Sequence, residues 1–277
     1  MINILVLRSY GDYIILLNTI RYTTIKEPIK LYVSNHLFDL HKSINPVLPD
    51  NIECLFIDLK IRSGILGFFT NKHFFSIQSF KEIIALKKFL NLYSIHDFYL
   101  EQKKRSNFLS IIIGKKFKKI CNNKNVYQEY NIFFNSHKSK IENKFSETKN
   151  NYNILIFPDS RKSNKVINPS ILNKIEQILQ KKKIHFKIAI FSKKDKSTMQ
   201  KRFCNYSNFD ELINLIKSGK FIISSDSLPA HIAEYLEIPH WILYHNKINY
   251  NWITPSSLEG NTFGTFNELD LLNNLLD

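Results

Sequence analysis

Glycine is scarce in this chain, at 7 of 277 residues. Nucleotide loops of the Gly-x-x-x-x-Gly-Lys-[Ser/Thr] and Gly-x-Gly-x-x-Gly types need close-set glycines for backbone approach to phosphate. Neither pattern occurs. Any phosphate site must therefore be built differently. Cysteine is equally sparse. Cys54, Cys121 and Cys204 are odd in number and far apart. They match no disulfide or metal framework and fit a reducing cytoplasm. The histidines show no zinc spacing, and no Asp-x-Asp stands at a strand end to hold a metal-bound nucleotide. No apolar run approaches the ~18 residues of a membrane span. The start, Met1 to Arg8, lacks the basic region and cleavage site of a signal peptide and reads as a first strand.

What is present is a globular composition, 44% hydrophobic and 23% charged, with enough chain for one large or two modest cores. The net charge is +15, and it is unevenly placed. Residues 60–150 carry 18 basic and 6 acidic side chains, whereas residues 1–59 are close to neutral. Such clustering points to an acidic partner. A lysine- and asparagine-rich composition also follows from an AT-rich genome, but that accounts for the excess and not for its position.

Strands and helices alternate along the chain. Short apolar runs predict strands at Asn3–Leu7, Lys30–Ser34, Glu53–Asp58 and His96–Leu100. Helical spacing marks Tyr13–Thr23 and Lys81–Leu92. Lys115–Lys149 is polar and breaks the pattern, with Ser136–Asn151 the best linker. The pattern then restarts. Strands are predicted at Asn153–Phe157, Phe186–Phe191, Lys220–Ser225 and Trp241–Tyr244. Helices are predicted at Pro169–Gln180, Phe209–Ser218, Ala230–Leu236 and Phe266–Leu276. Alternation of this kind implies parallel sheets covered by helices. Two such halves, 1–150 and 151–277, suggest an α/β protein of two Rossmann-like domains facing a cleft, the GT-B arrangement. Its ligands would lie at the carboxyl ends of parallel strands.

Three turns follow such ends. The most telling is Phe221 to His231. An apolar run is broken by Ser224, Ser225, Asp226 and Ser227, and Pro229 then opens a helix. Pro is favoured at the first helical position. The helix end would point its N–H groups at an anion, with His231 in reach. The second turn is Pro158 to Lys165, whose Arg161 and Lys165 suit phosphate or a solvated basic loop alike. The first turn is Arg8-Ser9-Tyr10-Gly11-Asp12. On position alone, Asp12 is a carboxylate at a helix N-terminus, stabilised by the macrodipole.

The Asp226-Ser227…His231-Ile232-Ala233 segment resembles the D-[ST]-x-x-x-H-[IL]-x-A signature of glycosyltransferase family 9, the bacterial heptosyltransferase family. The opening Ile4 to Asp12 resembles that family's strand-R-x-S-x-x-G-D start. Pro158 to Lys165 resembles its P-[GD]-[AS]-R…K loop. Trp241–Tyr244 followed by Trp252 to Pro255 resembles its strand and W-x-P ending. Leu228 and His245 stand where the family commonly has Gly. The resemblance covers the start and most of residues 152–256.

The resemblance implies an inverting, metal-independent glycosyltransferase without a cofactor. A nucleotide sugar, ADP-heptose by preference, would be the donor, and a lipopolysaccharide, lipooligosaccharide or other surface glycan the acceptor. Asp12 would be the general base. Arg161, Lys165, Asp226, Ser227, Leu228, Ala230, His231, Tyr244 and His245 would bind the donor. Arg8, Ser9, Tyr10 and Gly11 would bind the acceptor. An anionic glycolipid would meet the basic 60–150 stretch. Phe68, Phe69, Phe74, Phe75 and Phe80 lie among Lys72, His73 and Lys81 there, a mix that suits either an apolar core or the inner-membrane surface. Trp241 reads as core, and Trp252 as core or nucleotide contact. Two other readings stay open: an epimerase-like GT-B enzyme acting on a sugar nucleotide, and a basic nucleic-acid-binding protein, which would explain the charge but not the three turns.

Overall fold

The computed structural model describes residues 1–7, 9–59, 77–93, 95, 97–100, 114, 116–120, 125–136, 154–160, 163–192 and 202–275. The chain divides into two compact units, Met1–His137 and Lys138–Asp277. Arg8, Arg161 and the phenylalanines at 68, 69, 74 and 75 lie outside the described residues, as do the side chain of Phe80 and the predicted linker beyond Ser136.

The N-terminal unit contains β1 (Ile2–Val6), α1 (Tyr10–Ile20), β2 (Ile29–Ser34), α2 (Phe38–Ile44), β3 (Ile52–Ile57), α3 (Ile77–Leu92), β4 (Asp97–Leu100), β5 (Lys116–Lys119) and α4 (Val126–Phe134). Its strands pair in parallel in the order β3-β2-β1-β4-β5. The apolar runs of β1 and β2 are buried because helices cover both faces of such a sheet. Leu86 and Leu90 of α3 pack with Leu5, Tyr32 and Phe98 on one face. α1 packs against α4. Their ends are tied where Ser136 Oγ donates to Thr19 O at 2.8 Å and Thr23 Oγ1 to Phe134 O at 2.6 Å.

The C-terminal unit contains β6 (Ile154–Phe157), α5 (Pro169–Lys181), β7 (Phe186–Phe191), β8 (Phe203–Tyr206), α6 (Phe209–Ser218), β9 (Phe221–Ser225), α7 (Leu228–Tyr235), β10 (His240–Tyr244), α8 (Pro255–Gly260), β11 (Phe263–Thr265) and α9 (Leu269–Leu275). All six strands are parallel, in the order β8-β7-β6-β9-β10-β11. Read by order of appearance, this is the 3-2-1-4-5-6 Rossmann sequence, and the N-terminal sheet follows its first five places. Each sheet therefore has a switch point, between β1 and β4 and between β6 and β9. The alternation of side chains sets the cores. Ile156, Ile223, Trp241 and Leu243 meet α5 and α9 on one face. Ile242 and Tyr244 meet Ala230 of α7 on the other. Trp241 is core, as expected.

Several expectations need correction. Lys115–Lys149 does not simply break the pattern, because β5 and α4 lie within it. α4 is capped by Asn125, which accepts from the Tyr127 and Gln128 amides at 3.0 and 3.4 Å, and it buries Val126, Tyr127, Tyr130 and Phe134. α1 starts at Tyr10 rather than Tyr13, since Ser9 Oγ accepts from the Asp12 amide at 3.4 Å and caps it. α7 starts at Leu228, so Pro229 is its second residue. The last helix starts at Leu269 rather than Phe266, because the Phe266 N–H still donates to Tyr244 O at 2.9 Å beyond the end of β11.

Candidate functional site

In the C-terminal unit the predicted donor residues other than Arg161, which lies outside the described residues, follow the carboxyl ends of β6, β9 and β10. The loop after β6 is closed by Ile167 N–H donating to Pro158 O at 2.9 Å. Asp159 Oδ2 pins it by accepting from the Phe191 amide at 3.0 Å. The loop thereby delivers Lys165 across the β6–β9 switch point. Lys165 Nζ donates to Asp226 O at 2.8 Å and to Asp226 Oδ2 at 2.5 Å. Asp226 is almost wholly buried, and Lys165 is about one-third exposed, at 30%. An ammonium has three donors. Two are spent on Asp226, and no other described residue takes the third.

Ser227 stands at the N-cap of α7 but supplies no side-chain cap. The reason lies in the two serines before it. Ser224 Oγ spends its proton on Ser225 O at 2.7 Å, so at the 3.2 Å contact between Ser224 and Ser227 the Ser227 hydroxyl donates. That turns Ser227 away from the amides of the first helical turn. An end of this kind accepts an anion through backbone N–H groups. Leu228 has ordinary helical backbone and is absent from the positive-φ positions. The site thus needs no glycine conformation there, and Leu228 adds a half-buried side chain beside the helix end. His231 lies on the same helix and is buried. Ala230 is fully buried in the apolar cluster, so its side chain packs there.

Tyr244 packs its ring with Ala230, Ile242, Ile253 and Phe263. Its hydroxyl is buried without a hydrogen-bond partner among the described residues. Burial, with the charge of Asp226 adding to it, pushes its ionisation far up, so it stays an O–H donor. The Ser225 hydroxyl is buried and unpartnered in the same way. Sequence reasoning missed Ser225, because nothing in a run of serines tells which hydroxyl the strand will orphan. His245 is exposed, with its ring 5.3 Å from that of Phe266. Trp252 is half-buried in the following loop. That loop is anchored from below by a second group the sequence did not reveal. His240 Nε2 pairs with Thr254 Oγ1 at 2.7 Å, and the buried Glu234 carboxylate accepts from the Ser256 amide at 3.3 Å and from its hydroxyl.

In the N-terminal unit Ser9, Tyr10, Gly11 and Asp12 sit at the carboxyl end of β1, beside the β1–β4 switch point. Asp12 is in the first turn of α1 and is 8% exposed. Tyr10 meets the edge of the His36 ring, with centroids 5.8 Å apart. His36 follows β2 and was not foreseen. Ser34 Oγ donates its proton to Leu59 O at 2.6 Å. At the 2.8 Å Ser34–His36 contact it must therefore accept, which places a proton on His36 Nδ1. Behind Asp12, the Tyr13 hydroxyl bonds His41 Nδ1. Burial lowers the His41 pKa below its ordinary 6.5 and keeps that ring neutral at pH 7. Among the described residues no group of three His, Cys, Asp or Glu side chains is placed to hold a metal, and no helix is long and apolar enough to cross a membrane.

Two parallel sheets in Rossmann order, with polar turns collected at their strand ends, define an α/β protein of the GT-B fold. The solved structures it resembles share that fold. E. coli heptosyltransferase WaaC with ADP superposes over 100% of both chains, with TM-score 0.61 and 11% identity. The glycosyl transferase family 9 structure from Veillonella parvula covers 95% of this chain and 86% of its own, with TM-score 0.58 and 10% identity. Methanocaldococcus jannaschii UDP-GlcNAc 2-epimerase, in complex with UDP-GlcNAc and UDP, covers 100% and 93%, with TM-score 0.55 and 11% identity. No protein-family model matches the chain, and no curated protein matches its sequence.

Proposed function

We propose that this protein is an inverting, metal-independent glycosyltransferase that moves a heptose from ADP-heptose to an anionic surface glycan of the lipopolysaccharide or lipooligosaccharide type. The observation that carries the reading is the Lys165–Asp226 pair across the switch point, at the uncapped N-terminus of α7. Ligands of open α/β sheets bind at such a point, and the fold is one that ADP-bearing heptosyltransferases share. The diphosphate would take the third Lys165 proton and the first-turn amides of α7, with Arg161, Ser227 and His231 at its margin. The Tyr244 hydroxyl would reach the ribose or base, beside His245.

In the transfer, an acceptor hydroxyl oxygen attacks the anomeric carbon while the bond to the diphosphate oxygen breaks. Asp12 takes the hydroxyl proton, and the leaving diphosphate keeps the bonding pair. The greatest charge develops on that leaving group, so cations and amides preplaced there stabilise the transition state most. Arg8, Ser9, Tyr10 and Gly11 would hold the acceptor. The working place would be the cytoplasm, at the inner-membrane surface.

Calorimetry with ADP tests the donor site. Lys165→Ala and His231→Ala should each weaken ADP by roughly 1–3 kcal/mol, the range of a hydrogen bond to a charged group, with melting temperature followed as a control for folding. Unchanged affinity in both variants would remove the site from this place. A second reading is favoured by the likeness to the 2-epimerase. It predicts tight UDP-sugar binding and turnover without an acceptor, whereas the transferase should prefer ADP and stay idle until acceptor is added.

A further inference from the structure

We infer that the outer face of α3 docks on an anionic lipid bilayer. Among the described side chains of α3, Ile83, Leu86 and Leu90 pack into the N-terminal core from one side. On the opposite side Lys81, Ile84, Lys88 and Leu92 recur at i, i+3, i+7 and i+11, so they form one stripe. Ala85 and Asn91 fill the stripe, and Lys87 flanks it. All are exposed, Ile84 at 40% and Leu92 at 78%. Tyr93, at the helix end, is 52% exposed and leans on Phe89. None of the three lysines pairs with a carboxylate among the described residues, and the stripe itself contains no acidic residue.

Three exposed cations on a helix face, without a carboxylate partner among the described residues, explain attraction to any polyanion. The aliphatic members select among polyanions. A nucleic-acid backbone has no use for an exposed Ile84 and Leu92, whereas a bilayer interface takes both at once: headgroup phosphates for the ammonium groups, the acyl boundary for the aliphatic side chains. The long stems of Lys81 and Lys88 let the apolar residues enter while the charges stay at phosphate level. The net charge of +15 adds a long-range pull toward the same surface. Docking here does not depend on the donor assignment, although it would bring a lipid-linked acceptor to the protein.

Flotation of the full chain tests this. Vesicles of phosphatidylcholine containing about one-third phosphatidylglycerol should carry the protein at low salt, and pure phosphatidylcholine vesicles should not. Binding should fall as salt is raised. Each lysine near an anionic surface contributes about fivefold, so Lys81→Glu, Lys87→Glu and Lys88→Glu together should weaken binding by at least ~100-fold. Leu92→Ser should weaken it by several-fold without altering the salt dependence. ADP affinity should be the same in all variants, which separates this outcome from failure of the donor site. Equal flotation of the triple variant and the parent, flotation on pure phosphatidylcholine, or retention by single-stranded DNA but not by anionic vesicles would each overturn the assignment.

Discussion

Asp12 has two roles to separate, one at the helix end and one in the proposed transfer. In the first turn of α1 a carboxylate is favoured by the helix dipole, a contribution of about 1 kcal/mol or less. At the carboxyl end of β1 it is also where an acceptor hydroxyl would shed its proton. Asp12→Asn separates the two. The amide keeps the size and most hydrogen bonding but cannot act as a base, and general base catalysis contributes typically ~10²–10⁴-fold. The variant should bind ADP normally, melt within a few degrees of the parent and lose turnover by about that factor. Transfer at the parental rate would end the general-base assignment. Asp226 differs in kind. It is held by Lys165 and buried, so its charge is already compensated. Replacing either partner alone leaves a buried charge unpaired, and a loss of stability there says little about the donor.

At the scale of elements, the site depends on how β10 is held, since Tyr244 ends that strand. β10 pairs with β9 on one side and β11 on the other. Gly264 in β11, the partner of Leu243, lies close against Trp241. A Cβ built there would lie 3.1 Å from Trp241 Cζ2, and Trp241 is fully enclosed. Gly264→Ala should therefore cost about 1–3 kcal/mol of overpacking, read as a lower denaturant midpoint with unchanged slope. A midpoint equal to the parent's would mean that β11 shifts freely. These elements also show what a sequence reveals. β6 is an unbroken apolar run, and β1, β9 and β10 are apolar but for Asn3, the closing Ser224–Ser225 and the opening His240, the mark of strands buried on both faces, and their turns were legible with them. β5, an edge strand, reads as loop because Lys-Phe-Lys-Lys offers one apolar residue in four. β8, β11 and the seven-residue α2 are too short to show a period. Ser225, His36 and the His240–Glu234 group could not be read, because their meaning lies in contacts between neighbouring strands and loops rather than in spacing.

The whole molecule has two compact units, each with its own sheet and core, so a ligand held by one need not stabilise both alike. The donor assignment concerns only the C-terminal unit, and this gives a test independent of any acceptor. ADP binding the native state at about one hundred times its dissociation constant stabilises what it binds by ~2.7 kcal/mol. Amide exchange reports such stabilisation locally, because units open separately and with different free energies. With ADP present, exchange should slow at Lys165 and from Asp226 to Tyr235, where the loop after β6 meets α7. It should also slow in β9 and β10, whose carboxyl ends frame the site. The interiors of β2 and β3, in the other unit, should change least. Protection that instead centres on α1 and the loop after β2 would move the nucleotide to the N-terminal switch point and reverse the roles assigned to Asp12 and Lys165.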